Sequence, residues 1–182
     1  MKWSGSADKR RRRGLACVIV DGYNVLPHLF QSALDTLSNI EEARGELLEW
    51  LKEYRAFSGQ DVMVVYDAHQ TKQPGSDEDI GGVRVIFTAY QETADERIER
   101  LVYELRDAYR NITVATSDLA EQQVAFGGGA LRISSREFAQ QLRAMKQSIR
   151  GVVEGQHQPL RNPLSDSVRQ DIAKILEKWR RG

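Results

Sequence analysis

The feature that most constrains this chain is a recurring unit: a short, continuous apolar run followed by a polar, helix-compatible segment. The runs are LACVIV (15–20), DVMVVYDA (61–68), VRVIFTA (83–89), ITVATS (112–117) and ALRIS (130–134). Runs of this length without apolar–polar alternation are those of strands buried on both faces, as in a parallel sheet. Between them lie segments with helical spacing. Ser38 and Glu41 stand at capping-box separation before Leu47, Leu48, Leu51 and Tyr54, and Gly59 marks the end of that helix. Thr93 and Glu96 repeat the device before Ile98, Leu101, Val102 and Leu105, and Ser134 and Glu137 do so before Phe138, Leu142, Met145 and Ile149. A short helix is expected from Asp118 to the glycines at 127–129. The pattern predicts an α/β fold, a three-layer α/β/α sandwich around a mostly parallel five-stranded sheet. Residues 25–37, with Pro27, read as irregular, and 69–82 as a long polar loop.

The 182 residues suit one domain with an appendage. Residues 15–150 form the predicted domain. Residues 1–14 form a basic tail, and 151–182 hold a linker (151–164) and an amphipathic helix over about 167–180 carrying Val168, Ile172, Ile175, Leu176 and Trp179. That stripe must be covered by the main domain or by a partner, a second copy of the chain included. The charge is zero overall but unevenly spread. Residues 1–13 contain six basic residues and one acid, so they carry +5 and the remainder −5. Such a block suits contact with nucleic acid or an anionic surface, or a solvated tail. One cysteine, Cys17, inside an apolar run, excludes an internal disulfide framework and a cysteine-based zinc site. No run is long enough for a secretory leader or a membrane span, so a cytoplasmic protein is expected.

The chemistry sits where the apolar runs stop. In a parallel sheet the C-terminal ends of the strands share one edge, and ligands bind there. Asp21 follows the first run, Asp67 ends the second, Asp95 lies in the helical turn after the third, and Asp118 follows the fourth. Asn24 stands one turn beyond Asp21. Each acid alone also suits a helix cap or a helix dipole. Four together repel one another, and a site that keeps them ionised suits a cation. Oxygen ligands point to Mg²⁺ or Mn²⁺, whose two-ion form hydrolyses phosphodiesters. Glu92 and Glu96 are further candidate ligands, and His69 a candidate base or substrate contact. Lys72, Arg97 and Arg132 are candidate phosphate or RNA contacts. The glycine run 127–129 precedes a strand rather than a helix, the wrong order for a phosphate loop. No G-x-S-x-G elbow accompanies His28, His69 or His157.

The stretches VDGYN (20–24), VVYDAH (64–69), FTAYQETADERIERLV (87–102), VATSDLAEQ (114–122) and FGGGALRISSREF (126–138) resemble the YacP-like branch of the NYN domains, within the PIN-like metal-dependent nuclease superfamily. The resemblance spans roughly 16–150. It implies a PIN-like sandwich and a divalent-metal endoribonuclease. By motif, Asp21, Asn24, Asp67, Asp95 and Asp118 are its catalytic set, with Asp21, Asp95 and Asp118 as metal ligands. The family includes a ribosome-associated member that cuts mRNA in the decoding site, so RNA and the ribosome are the partners the resemblance implies. The competing readings are a non-catalytic RNA- or ribosome-binding module, and a small-phosphoester hydrolase. The latter is disfavoured because Asp21-Gly-Tyr-Asn lacks a second Asp two residues on. RNA is favoured over DNA by the resemblance alone.

Overall fold

A computed structural model describes residues 16–33, 39–68, 74–116 and 129–156. In chain order it contains β1 (Ala16–Asp21), α1 (Gly22–Phe30), α2 (Ile40–Ser58), β2 (Asp61–Tyr66), β3 (Ser76–Ile80), β4 (Val83–Phe87), α3 (Ala94–Leu105), β5 (Asn111–Thr116), β6 (Leu131–Ser134) and α4 (Ser135–Gln156). The chain divides into two units, Met1–Met145 and Lys146–Gly182. The candidate site residues Asp21, Asn24, Asp67 and Asp95 belong to the first.

The sheet has the order β3-β4-β2-β1-β5-β6. Every pairing is parallel except β3 with β4. The two most apolar runs, β1 and β2, lie in the interior of the sheet and are buried over five of their six residues. Residues alternate between faces along each strand. Cys17 and Ile19 of β1, Met63 and Val65 of β2 and Val114 of β5 share a core with Ile98, Leu101, Val102 and Leu105 of α3. On the opposite face α2 and α4 meet through an edge-on contact of Tyr54 with Phe138. Arg143 of α4 donates to the carbonyls of His28 and Leu29 at 2.6 and 3.3 Å, which ties it to the end of α1. The expected sandwich of three layers is present.

The sheet has six strands, not five. The additional one, β3, lies in the segment read as loop, and the sequence SDEDI has no apolar face to announce it. It is joined to β4 by Gly81 and Gly82, with φ of 66° and 87°. Positive φ at both positions is the two-residue turn whose twist matches a hairpin, and glycine adopts it without strain. Arg84 of β4 fixes the register by a bidentate grip on Asp77, at 2.7 and 2.6 Å.

A second correction concerns α1, which occupies residues read as irregular. Asp21 caps it, and Gln31 ends it in a left-handed conformation. Pro27 lies inside and removes one backbone donor, which is why helical spacing alone did not reveal it. The cap of α2 is Asn39 rather than Ser38, which lies outside the described residues. Asn39 Oδ1 accepts from the N–H groups of Glu41 and Glu42 at 3.0 and 3.2 Å. The Thr93–Glu96 capping box is complete, and Ser134 and Glu137 exchange the expected bonds. Helix α4 continues to Gln156, so the predicted linker begins as helix. The tail 1–14, the short helix after Asp118, and residues 157–182 lie outside the described residues. No helix among the described residues is long and apolar enough to cross a membrane.

Candidate active site

Strand β1 ends at Asp21, and the chain turns at once into α1. The Asp21 carboxylate caps that helix: Oδ1 accepts from the Asn24 N–H at 3.3 Å and Oδ2 from Asn24 Nδ2 at 2.7 Å. Spacing of three is what a cap requires, because the N3 donor of a helix faces its N-cap side chain. Asn24 therefore orients the acid through two bonds. The glycine between them has its own reason. A Cβ on Gly22 would enter the ring of Tyr66, which is itself 2 % exposed and cannot withdraw.

That ring belongs to a ladder of aromatics. Tyr23 meets Tyr66 at 5.2 Å, and Tyr66 stacks on Phe87 at 5.2 Å. Tyr66 and Phe87 are register partners at the C-terminal ends of β2 and β4. Just beyond them, Thr88 receives the Ala68 N–H on its hydroxyl at 2.8 Å and donates its own N–H to the Tyr66 carbonyl at 3.0 Å. This lacing fixes the segment carrying Asp67.

Asp21 is 5 % exposed, and its carboxyl is pushed up to about 6. Burial is the main cause. The Asn24 backbone bond opposes it, and the negative charges of Asp95 and Asp67 raise it further. These three predicted acids are thus within electrostatic reach of one another at the C-terminal edge of the sheet. Asp95 is exposed in the first turn of α3, and Asp67 is half-buried beyond β2. Among the described residues, no group of three or more histidine, cysteine or acidic side chains is placed to hold a metal ion. Asp118, the fourth predicted acid, lies outside the described residues, as do His69 and Lys72.

Other candidates have separate tasks. Glu92 Oε2 accepts from the Ala89 N–H at 3.2 Å, while Oε1 pairs with Arg100 at 2.7 Å, so this acid braces the loop before α3. Glu96 closes the capping box by accepting from the Thr93 N–H at 3.0 Å. Arg97 pairs with Asp77 at 3.5 Å and Glu104 at 3.8 Å. Arg132 is half-buried on edge strand β6, beside Val114.

Two features at this edge were not anticipated. Thr116 ends β5, one residue past the Val20–Ala115 pair, and so stands level with Asp21. It is 1 % exposed, and among the described residues its hydroxyl has no hydrogen-bond partner. Nor does that of Ser135, which is fully buried at the start of α4. The other feature is Arg44 of α2. It lies over the aromatic ladder, 5.2 Å from the Phe87 centroid and 5.8 Å from that of Tyr66, and donates to the Tyr23 hydroxyl at 3.2 Å.

Comparison with known proteins follows the same outline. The description "YacP-like NYN domain" matches residues 18–181. YacP of Bacillus subtilis (strain 168) is 38% identical over 171 residues, covering 91% of this chain and 96% of that protein. The crystal structure of Rae1 (YacP) from Bacillus subtilis superposes with a TM-score of 0.62 at 37% identity, covering 91% of this chain and 95% of that one. That of a single-substitution variant gives 0.64 at 38% identity, covering 84% and 89%. The chain belongs to the YacP-like NYN domain family, which lies within the PIN-like nuclease superfamily.

Proposed function

We propose that this protein is a divalent-metal-dependent endoribonuclease that cuts single-stranded RNA, with mRNA on the translating ribosome as its substrate in the cytoplasm. The observation that carries the reading is Asp21. Its carboxyl, at the C-terminal edge of the sheet, is raised to about 6, first by burial and then by the charges of Asp95 and Asp67. Left alone, such a group is unfavourable; beside a cation it becomes a strong ligand. The donor chemistry fits Mg²⁺ or Mn²⁺, and the unpartnered Thr116 hydroxyl adds an oxygen at the same level of the sheet. Asp21, Asp95 and Asp118 would hold the metal, with Asp67 completing the acidic set.

Bound there, the ion would neutralise the acids and supply an acidified water as nucleophile, so no side-chain nucleophile is required. The protein's own contribution is orientation. Asn24 holds Asp21 in one rotamer, and the capping box sets the first turn of α3 that carries Asp95. The ribosome and mRNA enter from the family resemblance.

A binding module without catalysis is the second reading, favoured by the six basic residues of the tail 1–13 and the apolar stripe of the predicted C-terminal helix. One assay separates the two. Labelled single-stranded RNA is incubated with native protein in Mg²⁺, Mn²⁺ or chelator, and with Asp95→Asn, then again on ribosomes engaged with a message. Metal-dependent cutting that is lost in the variant is expected. Cutting that survives in chelator or in Asp95→Asn rejects the metal assignment, and no cutting in either setting leaves the binding module.

A further inference from the structure

The described arginines near the sheet edge fall into two kinds. Arg84 grips Asp77, Arg97 lies between Asp77 and Glu104, and Arg100 pairs with Glu92. Arg44 differs. Its carboxylate partner is Glu41, at 3.7 Å, one turn earlier on the same helix and 82% exposed, a pair that water screens. Its placement is set instead by rings, those of Phe87 and Tyr66 under the guanidinium and the hydroxyl of Tyr23 beside it.

Each of those rings is tied to the acidic edge. Tyr23 is two residues beyond Asp21, Tyr66 immediately precedes Asp67, and Phe87 is the register partner of Tyr66. A cation is therefore fixed at the border of the acids, and its carboxylate partner among the described residues is the exposed Glu41 of its own helix. A cation–π contact consumes none of a guanidinium's five N–H donors, and Tyr23 takes one of them. The side chain is 23% exposed, so a ligand can reach it. Clamping α2 to the sheet would need only an apolar side chain. A partly exposed guanidinium held over two rings, with spare donors, has the geometry that recognises a phosphate.

We propose that Arg44 is the phosphate anchor of the site, its donors binding a non-bridging oxygen of the nucleic-acid backbone beside the scissile bond, with Tyr23 as the positioning residue that fixes its plane. This rests on the nuclease reading above for the identity of the strand. It assigns the role expected of Arg97 to a residue on another helix.

The test is binding of a fluorescein-labelled single-stranded RNA to the full chain in chelator, followed by anisotropy across a salt series. Arg44→Gln is expected to weaken binding about 10-fold, the loss of one charge-assisted bond. It should also flatten the dependence of log K on log salt by about 0.7, one phosphate contact on a single strand. Arg44→Lys should keep the native slope, because the charge remains, and Tyr23→Phe should weaken binding with the slope unchanged. Arg97→Gln should match the native chain. If both Arg44 variants only lower the melting temperature and leave the slope intact, Arg44 is a clamp and the anchor is rejected while the nuclease reading stands. A native chain that binds RNA with the expected Arg44 dependence but never cuts it rejects the nuclease reading alone. A native chain that binds the RNA neither in chelator nor with Mg²⁺ rejects the anchor, and the cleavage assay on ribosomes decides the nuclease reading separately.

Discussion

Asn24 donates to the carboxylate of Asp21 twice, from its backbone N–H at 3.3 Å and from its side-chain amide at 2.7 Å. Both bonds favour the charged acid, yet burial and the neighbouring acids outweigh them, and the carboxyl remains raised. The site thus keeps an acid that is well oriented but poorly stabilised as an anion.

This has a measurable cost in metal-free protein. The folded value of about 6 lies above the ordinary 3.8, so between these the native state binds the proton more tightly than the unfolded chain. Stability therefore falls as pH rises from 3.8 to about 6 and is level above. Asp21→Asn removes that cost, which is on the order of 3 kcal/mol at neutral pH. Calorimetry in chelator should show the variant melting higher at pH 7, with the gain disappearing in acid, even though its cleavage is abolished. An equal difference at every pH would overturn the assignment.

Gly22→Ala drives a methyl group into Tyr66, whose ring is held between Tyr23 and Phe87. Overpacking of this kind costs about 1–3 kcal/mol. A lower denaturation midpoint is expected. Native stability in the variant would mean that the ladder can slide.

Thr93→Ala removes the hydroxyl that receives the Glu96 N–H at 3.2 Å. Loss of such a cap costs about 1 kcal/mol. Because Asp95 lies in the same turn, RNA cleavage should fall as well, though less than in Asp95→Asn. Thr93→Ser should restore both, and a cleavage rate indifferent to either change would detach Asp95 from its cap.

Asp77 is held below the usual carboxylate range, first by its hydrogen bonds to Arg84, then by the charges of Arg84 and Arg97. Its contribution to stability is present above the unfolded value of 3.8 and is lost as pH falls through the lower folded value. Asp77→Asn should melt below the native chain at neutral pH and converge with it in acid. Hydrogen exchange should quicken first across Ser76–Ile80. Unchanged exchange there would show that the Gly81–Gly82 turn alone secures the hairpin.

Residues whose environment is set by their own strand were readable in advance. Val18–Val20 and Val62–Val65 are uninterrupted apolar runs because both faces of an interior strand are covered, and the acids after them marked the working edge. Strand β3 was hidden because three of its five residues are carboxylates, although Ile-Gly-Gly-Val at 80–83 is a legible hairpin signal. The Asp21–Asn24 pair was visible as a spacing of three. Arg44 was not, because its position over Phe87 and Tyr66 depends on how α2 lies across two strands, separated from it by 22 and 43 residues of chain. The duty of Glu92 was likewise invisible as composition, since a brace and a ligand call for the same carboxylate, whereas Glu96 was legible as the capping-box partner of Thr93.

Strand β3 leaves one side of its backbone unpaired at the end of the sheet, the kind of row on which another strand can grow. Here Asp77, Glu78 and Asp79 stand in succession, all exposed. A second copy approaching that margin would set Glu78 and Asp79 against their own kind, a charge row that disfavours edge-to-edge pairing where shape alone would let it continue. The sheet can therefore remain finite in a crowded solution while its opposite end, at β6, is free of that prohibition.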